Sequence, residues 1–324
     1  MTISARRRSG SVLAVLLFGI LLCGGTCVLA KTNLWAQDKS EALLEKHTLV
    51  IGKITQNPKK LFRYLKPMVN YAAEHMKDLG ITDTEVLMAK DNQRMVSYLK
   101  QGKVDWVTET PFSAIILQEK AGAEILLKKW KKGVPDYHTI FFARKDSGIN
   151  SLSDLKGKTI ALEDPGSTSA YSVPASILIN EGLELVRLAS PREKPLADKV
   201  GYVFAEQEIT ISTYVHKGFV SAGAFNNQDW NKDDHLPKAF RKNMIIFHKS
   251  RPFPRAIELV RKGLDPGIKQ RLKEILLNAH NDPKAKKALR AYQKTEKFEE
   301  LSEKDRDSLD EVRGILKSVR SELE

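Results

Sequence analysis

Three hydroxyl side chains in a row, Ser167, Thr168 and Ser169, stand in the stretch LEDPGSTSAYSVPASIL, between an apolar strand end and a helical run. The first turn of a helix leaves backbone N–H groups without partners and carries a partial positive charge, so it draws anions. Ser and Thr placed there cap the helix with their own oxygens or donate their hydroxyl hydrogens outward. Pro174 marks where that turn falls, because proline is accepted in a first turn and clashes deeper in a helix. It puts the three hydroxyls at or just before the turn, and Gly166 ahead of them allows a close approach to the backbone. Hydroxyls and amides together offer up to about six donors around one point, which suits a tetrahedral oxyanion. The competing reading is a capped helix with its hydroxyls in water. A second helix start has a similar make-up. After VDWVT come Glu109, Thr110 and Pro111, with Thr110 at the N-cap and Pro111 at the first helical position.

The elements that would position these residues alternate in type. Apolar runs predict strands over 47–54, 85–89, 104–108, 137–144, 158–163, 200–205, 221–225 and 244–249. Amphipathic runs predict helices over 58–79, 91–101, 111–121, 169–181 and 207–217. Such alternation predicts an α/β fold of doubly wound layers, in which strand-to-helix turns lie at the carboxyl ends of the strands, where ligands bind. The strands 137–144 and 244–249 read as two crossings between two lobes, which would make a hinged pair with a cleft. Beyond residue 264 the pattern reads as wholly helical, and Leu309, Val312, Leu316 and Val319 give the last helix one apolar stripe for docking on the surface.

The first thirty residues are set apart from that fold. Arg6, Arg7 and Arg8 precede an apolar run from Val12 to Leu22, and Val28-Leu29-Ala30 supplies a cleavage motif before Lys31, with Ala36 as a second candidate. This is the layout of a secretory signal peptide over 1–30, possibly to 36; an uncleaved anchor is the rival. Both cysteines, Cys23 and Cys27, fall inside it, so the exported part has neither disulfide nor thiolate chemistry. At about 290 residues that part is large enough to build its own core. The formal net charge is +13, and removing the three signal arginines leaves +10. With an export signal and no aromatics interleaved among the lysines, nucleic acid is not the expected partner; Lys128, Lys129, Lys131 and Lys132, the densest cluster, read as solvated surface.

Signs of an enzyme are missing. There is no G-x-S-x-G elbow, Walker loop or dinucleotide fingerprint, and the seven histidines never fall at metal-ligand spacing. Asp233-Asp234-His235 comes nearest, in a polar loop that reads as solvent-exposed, so no metal and no cofactor are expected. Ser167 and Ser169 have no base near them in sequence to make a nucleophile.

EDPGSTSAYSVP, preceded by FFARKDSGINSLSDLKGKTIAL, resembles the signature of the phosphate, phosphite and phosphonate-binding proteins of ABC importers, and the similarity extends over most of 47–292. VDWVTETPFSA, the AGA of 222–224 and DPKAKKALRAY support it. The resemblance implies a two-lobed type II periplasmic binding protein, each lobe a doubly wound mixed sheet flanked by helices, hinged by two crossing strands. Lobe 1 would comprise 37–143 plus 246–324, and lobe 2 would comprise 144–245. It implies that Ser167, Thr168 and Ser169 grip the oxyanion, that Glu109 and Thr110 form the facing wall, and that Tyr64, Gln207 and Asn226 join the site. Three positions depart from relatives that bind aminophosphonates. Gln207 stands where they have a histidine, Arg255 where they carry an acid, and Ser221 where the acid of VDAGA would be. The missing acids argue against a cationic amine on the ligand. Arg255 reads as a surface residue; facing inward, it would favour a larger or more anionic acid. The implied protein is a monomeric periplasmic receptor for a small anionic ligand, with an inner-membrane ABC permease as partner. The alternative is a ligand sensor of the same fold that signals to a membrane kinase.

Overall fold

The computed structural model describes residues 47–55 and 57–323. The expected signal segment lies outside the described residues, as does the side chain of Val319. No helix among the described residues is long and apolar enough to cross a membrane.

The chain runs β1 (His47–Ile54), α1 (Pro58–Glu74), β2 (Ile81–Ala89), α2 (Asn92–Lys100), β3 (Trp106–Glu109), α3 (Pro111–Ala121), β4 (Glu124–Lys131), β5 (Asp136–Tyr137) and β6 (Thr139–Arg144). It continues through β7 (Thr159–Leu162), α4 (Val173–Asn180), β8 (Glu184–Arg187), β9 (Lys199–Phe204), α5 (Glu208–His216), β10 (Ala222–Asn226), α6 (Lys238–Arg241), β11 (Met244–Lys249), β12 (Phe253–Pro254) and β13 (Ile257–Val260). Last come α7 (Pro266–Asn278), α8 (Lys286–Ala291), β14 (Thr295–Glu299) and α9 (Glu303–Leu323).

The strands form two six-stranded sheets, β14-β4-β13-β3-β1-β2 and β11-β6-β10-β7-β9-β8. Both are mixed. β1 runs parallel to β2 and β3, and β7 runs parallel to β9 and β10, while β13 and β6 run antiparallel to their neighbours. A central strand covered on both faces needs apolar side chains pointing both ways. β1 supplies them, with Leu49 and Ile51 in one core and Val50 in the other, and β7 does the same with Ile160 and Leu162 against Ala161. Each sheet thus carries a core on either face and makes one lobe.

The crossing differs from the expectation. Strands 139–144 and 244–249 belong wholly to the second sheet, because β6 is hydrogen-bonded between β10 and β11. The chain crosses just outside them, at β5 and β12, which pair antiparallel as Tyr137 with Phe253 and Asp136 with Pro254. The tail is not wholly helical either. β14 pairs antiparallel with β4 at the edge of the first sheet, where TEKFE buries Thr295 and Phe298. Helical periodicity on both sides of so short a strand hides it.

Helix α9 behaves as its stripe predicts. Leu309, Val312 and Leu316 are buried in the core beside α3, each such burial contributing about 1.5–3 kcal/mol.

Candidate functional site

β7 delivers the chain to the hydroxyl run through a tight turn. Asp164 Oδ1 accepts from the Gly166 amide at 2.7 Å, an Asx turn that uses Gly166 for the bend itself. Ser167 then caps a single π-helical turn, Thr168–Ser172, its Oγ accepting from the Ala170 amide at 3.2 Å. The Ser172 amide closes the wide turn on the Ser167 carbonyl at 3.0 Å, and α4 follows at Val173. Pro174 accounts for the irregularity, since it brings no N–H to the carbonyls four and five residues back. Both of those carbonyls find other donors. The Ala170 carbonyl accepts from the Glu163 amide at 3.0 Å, and the Ser169 carbonyl accepts from Thr139 Oγ1 at 2.8 Å.

None of the three hydroxyls stands idle in water. Ser167 hydrogen-bonds Glu163 besides capping its own turn. Thr168 reaches the other lobe, where its Oγ1 accepts from the Phe112 amide at 3.0 Å. That amide belongs to the first turn of α3, so the helix is capped from across the cleft, while Thr110, in the N-cap position, makes no side-chain cap bond. Ser169 is buried and hydrogen-bonds Tyr137 of crossing strand β5.

The other expected residues divide. The Glu109 carboxylate is occupied, accepting from Lys53 Nζ at 3.0 Å and from the Ile54 amide at 2.6 Å, which fixes the end of β1 against β3. Asn226 is buried and holds Asp229 through Nδ2 while its Oδ1 accepts from the Gln228 amide. Tyr64 is half-buried on α1, and Gln207 is exposed at the start of α5 without a side-chain cap bond. Neither is hydrogen-bonded to the turn among the described residues.

Charge is distributed unequally over the two walls. On the second lobe, burial pushes Glu163 up to about 8, and the neighbouring Glu208 charge adds to the effect. Burial alone would raise Asp229, but hydrogen bonds from His235 and Lys232 outweigh it and hold that carboxyl down at about 2. Glu163 is therefore held toward its neutral form, and Asp229 is paired with its own cations. Glu208, Asp229 and His235 present ligand atoms within 4.8 Å of one another, yet the Lys232 ammonium already sits on Asp229. His235 turns its Nδ1 to Asp229 at 2.9 Å, while its Nε2 lies 3.7 Å from Asp234.

The first lobe presents cations. Arg255 is 7% exposed, correcting its reading as a surface residue; its guanidinium lies 4.2 Å above the Tyr137 ring. Burial, with Arg255 as the strongest neighbouring charge, drives the Lys131 amine well below its usual range. Burial lowers Lys132 as well, and its amine approaches that of Lys232 from the opposite lobe.

The lysine cluster is thus not solvated surface throughout. Lys128 and Lys129 are buried, because EILLKKWK is a sheet strand whose lysines reach acids inside the protein. Tyr137, Lys131, Lys132, Lys232 and the Phe112 amide escaped the sequence reading. The usable signal was the apolar-then-lysine pattern of 124–132, which places Lys131 and Lys132 at a strand's carboxyl end.

Comparison with known proteins agrees with this architecture. The family described as ABC transporter, phosphonate, periplasmic substrate-binding protein matches residues 54–306. A phosphate-import protein, PhnD, of Mycolicibacterium smegmatis is 30% identical over 146 residues, 43% of either chain. The phosphonates-binding periplasmic protein of Escherichia coli is 25% identical over 247 residues, 69% of this chain and 65% of that one. The matched regions therefore span less than two thirds of these curated relatives. XAC2383 from Xanthomonas citri, solved with chloride and with ATP, is 38% identical, with TM-scores of 0.82 and 0.81 over 85% and 86% of this chain and 99% of that one. With the two hinged lobes, the capped hydroxyl turn and a family match over most of its length, the chain belongs to the periplasmic substrate-binding proteins of phosphonate ABC transporters.

Proposed function

We propose that this protein is an exported receptor that closes on a phosphorus oxyanion and presents the closed form to an ABC permease of the inner membrane. The observation that carries the reading is the meeting of the Thr168–Ser169 turn with the α3 N-terminus and Tyr137 across the cleft. In this structure the Thr168 hydroxyl and the Phe112 amide satisfy one another, as do Ser169 and Tyr137. A ligand oxyanion would replace these contacts, taking the Thr168 and Ser169 hydroxyls and the Phe112 amide, and so tie the lobes together. Ser167 would keep its capping role and set the turn's shape. Glu109 and Asn226, occupied by Lys53 and Asp229, would hold the walls rather than touch the ligand. Phosphoryl-bearing ATP bound to XAC2383, a relative of the same fold, supports an oxyanion ligand. The lobes divide at β5 and β12.

Isothermal calorimetry with phosphate, phosphite and methylphosphonate, after unfolding and refolding to strip carried-over ligand, tests the reading. Binding that Thr168→Val plus Ser169→Ala weakens at least about tenfold supports it. Absence of heat with every phosphorus oxyanion overturns it. Permease coupling is a separate measurement: the liganded receptor should stimulate the permease's ATPase, and binding without stimulation would move the assignment to signalling.

A further inference from the structure

The cationic wall exceeds what a single phosphoryl group needs. Lys131, Lys132 and Arg255 form no ion pair with a carboxylate among the described residues. The Asp229 charge acts on Lys132, but Asp229 is already engaged by Lys232 and His235. Arg255 is the most telling of them. It is more than nine-tenths buried, its Nε has no hydrogen-bond partner, and it sits over the same Tyr137 that contacts Ser169. A buried cation without a counter-charge, as Arg255 is, is unfavourable, and bringing the Lys132 and Lys232 amines together across the cleft adds repulsion. Something anionic must offset this when the lobes close. The turn and the α3 amide supply donors for one phosphoryl group, which leaves Arg255 and the lysines facing further negative charge.

Resting on the oxyanion-receptor reading, we propose that the ligand carries two linked phosphoryl groups, as an inorganic diphosphate or as the phosphate chain of a nucleotide. One group sits at the Thr168–Ser169 turn, and Arg255, Lys131 and Lys132 hold the next. Guanidinium and ammonium groups suit this division, the planar fork bridging oxygens and the amines acting as point charges.

The test is calorimetry on the purified, refolded protein with pyrophosphate, ATP, orthophosphate and methylphosphonate. Pyrophosphate or ATP should bind about a hundredfold more tightly than orthophosphate or methylphosphonate. Lys131→Met and Arg255→Met should each weaken the tighter ligand about thirtyfold and change orthophosphate binding far less. ATP tighter than pyrophosphate identifies a nucleotide, and the reverse identifies the inorganic anion. Should Arg255→Met fail to fold, Lys132→Met at an exposed position carries the same comparison. Equal affinity for pyrophosphate and orthophosphate, or a ratio that survives all three substitutions, overturns the diphosphate inference and leaves the receptor reading intact. No binding by any of the four probes overturns both.

Discussion

Lysines on and just after β4 fall into two pairs with opposite fates. Lys128 is bonded to Asp305 at 2.8 Å and ion-paired with Glu299 and Asp136, and Lys129 is ion-paired with Glu258 at 3.0 Å. Glu258 is satisfied in turn by the Trp106 indole, the Thr108 hydroxyl and the Tyr292 phenol, so this half of the strand is a closed polar network. Lys131 and Lys132 lie two and three residues beyond Lys129 and are ion-paired with no carboxylate among the described residues. The same residue type therefore does two jobs along one strand. Cations that find their acids inside the fold hold it together, and those left without acids mark where an external anion belongs.

Removing an acid from the first pair should have the largest effect. Glu258→Gln leaves Lys129 buried without its counter-charge and should destabilise the protein by about 3–5 kcal/mol, read from chemical denaturation. A loss below about 1 kcal/mol would end the contrast between the pairs.

Next comes pH. Glu163 is raised from its ordinary 4.5 to about 8, so the folded protein holds a proton that the unfolded chain has released over that window. Stability should therefore fall as pH rises from about 4.5 to about 8, by at most about 1.4 kcal/mol per pH step of one, and level off above. Glu163→Gln should flatten that slope; an unchanged pH profile would show that another group controls it.

Lys131→Met sharpens the comparison from the other side. It should stabilise the ligand-free protein by about 1 kcal/mol while weakening ligand binding, opposite in sign to Glu258→Gln. The smallest effect concerns the lobes. Thr168→Val removes the oxygen that accepts from the Phe112 amide and should shift the ligand-free protein toward the open form by about 1 kcal/mol. Small-angle scattering would register this as a larger radius of gyration, and an unchanged radius would deny that bond a part in closure.

The difference between the pairs also explains what the sequence could tell. Ser167–Ser169 were legible because one turn needs contiguous residues, and Pro174 fixed its place. Most strands and helices were legible because their apolar periods are local. The cationic wall was not, since its members come from residues 131, 132, 232 and 255 and meet only when the second sheet folds against the first. Strand β4 was lost for a related reason. Lysines on a strand read as surface unless their acids are known, and those acids lie at positions 258 and 305. β14 is five residues long, too short to show a period between two helices.

Helix α9 joins parts that a hinge must separate. Leu309, Val312 and Leu316 are buried with the first lobe, and Arg313 reaches Gln118 and Glu119 of α3, while Ile315 packs with Val173 and Ile177 of the second lobe and with Tyr137 and Phe253 of the crossing strands. Opening the lobes must slide or peel one side of this helix, so its packing enters the equilibrium between open and closed populations. Apparent affinity is the intrinsic affinity scaled by the closed fraction, and about 1.4 kcal/mol in that equilibrium moves the working concentration tenfold. The dose at which the receptor responds can thus be reset by substitutions in the last helix, such as Ile315→Ala, with every ligand-facing side chain left as it is.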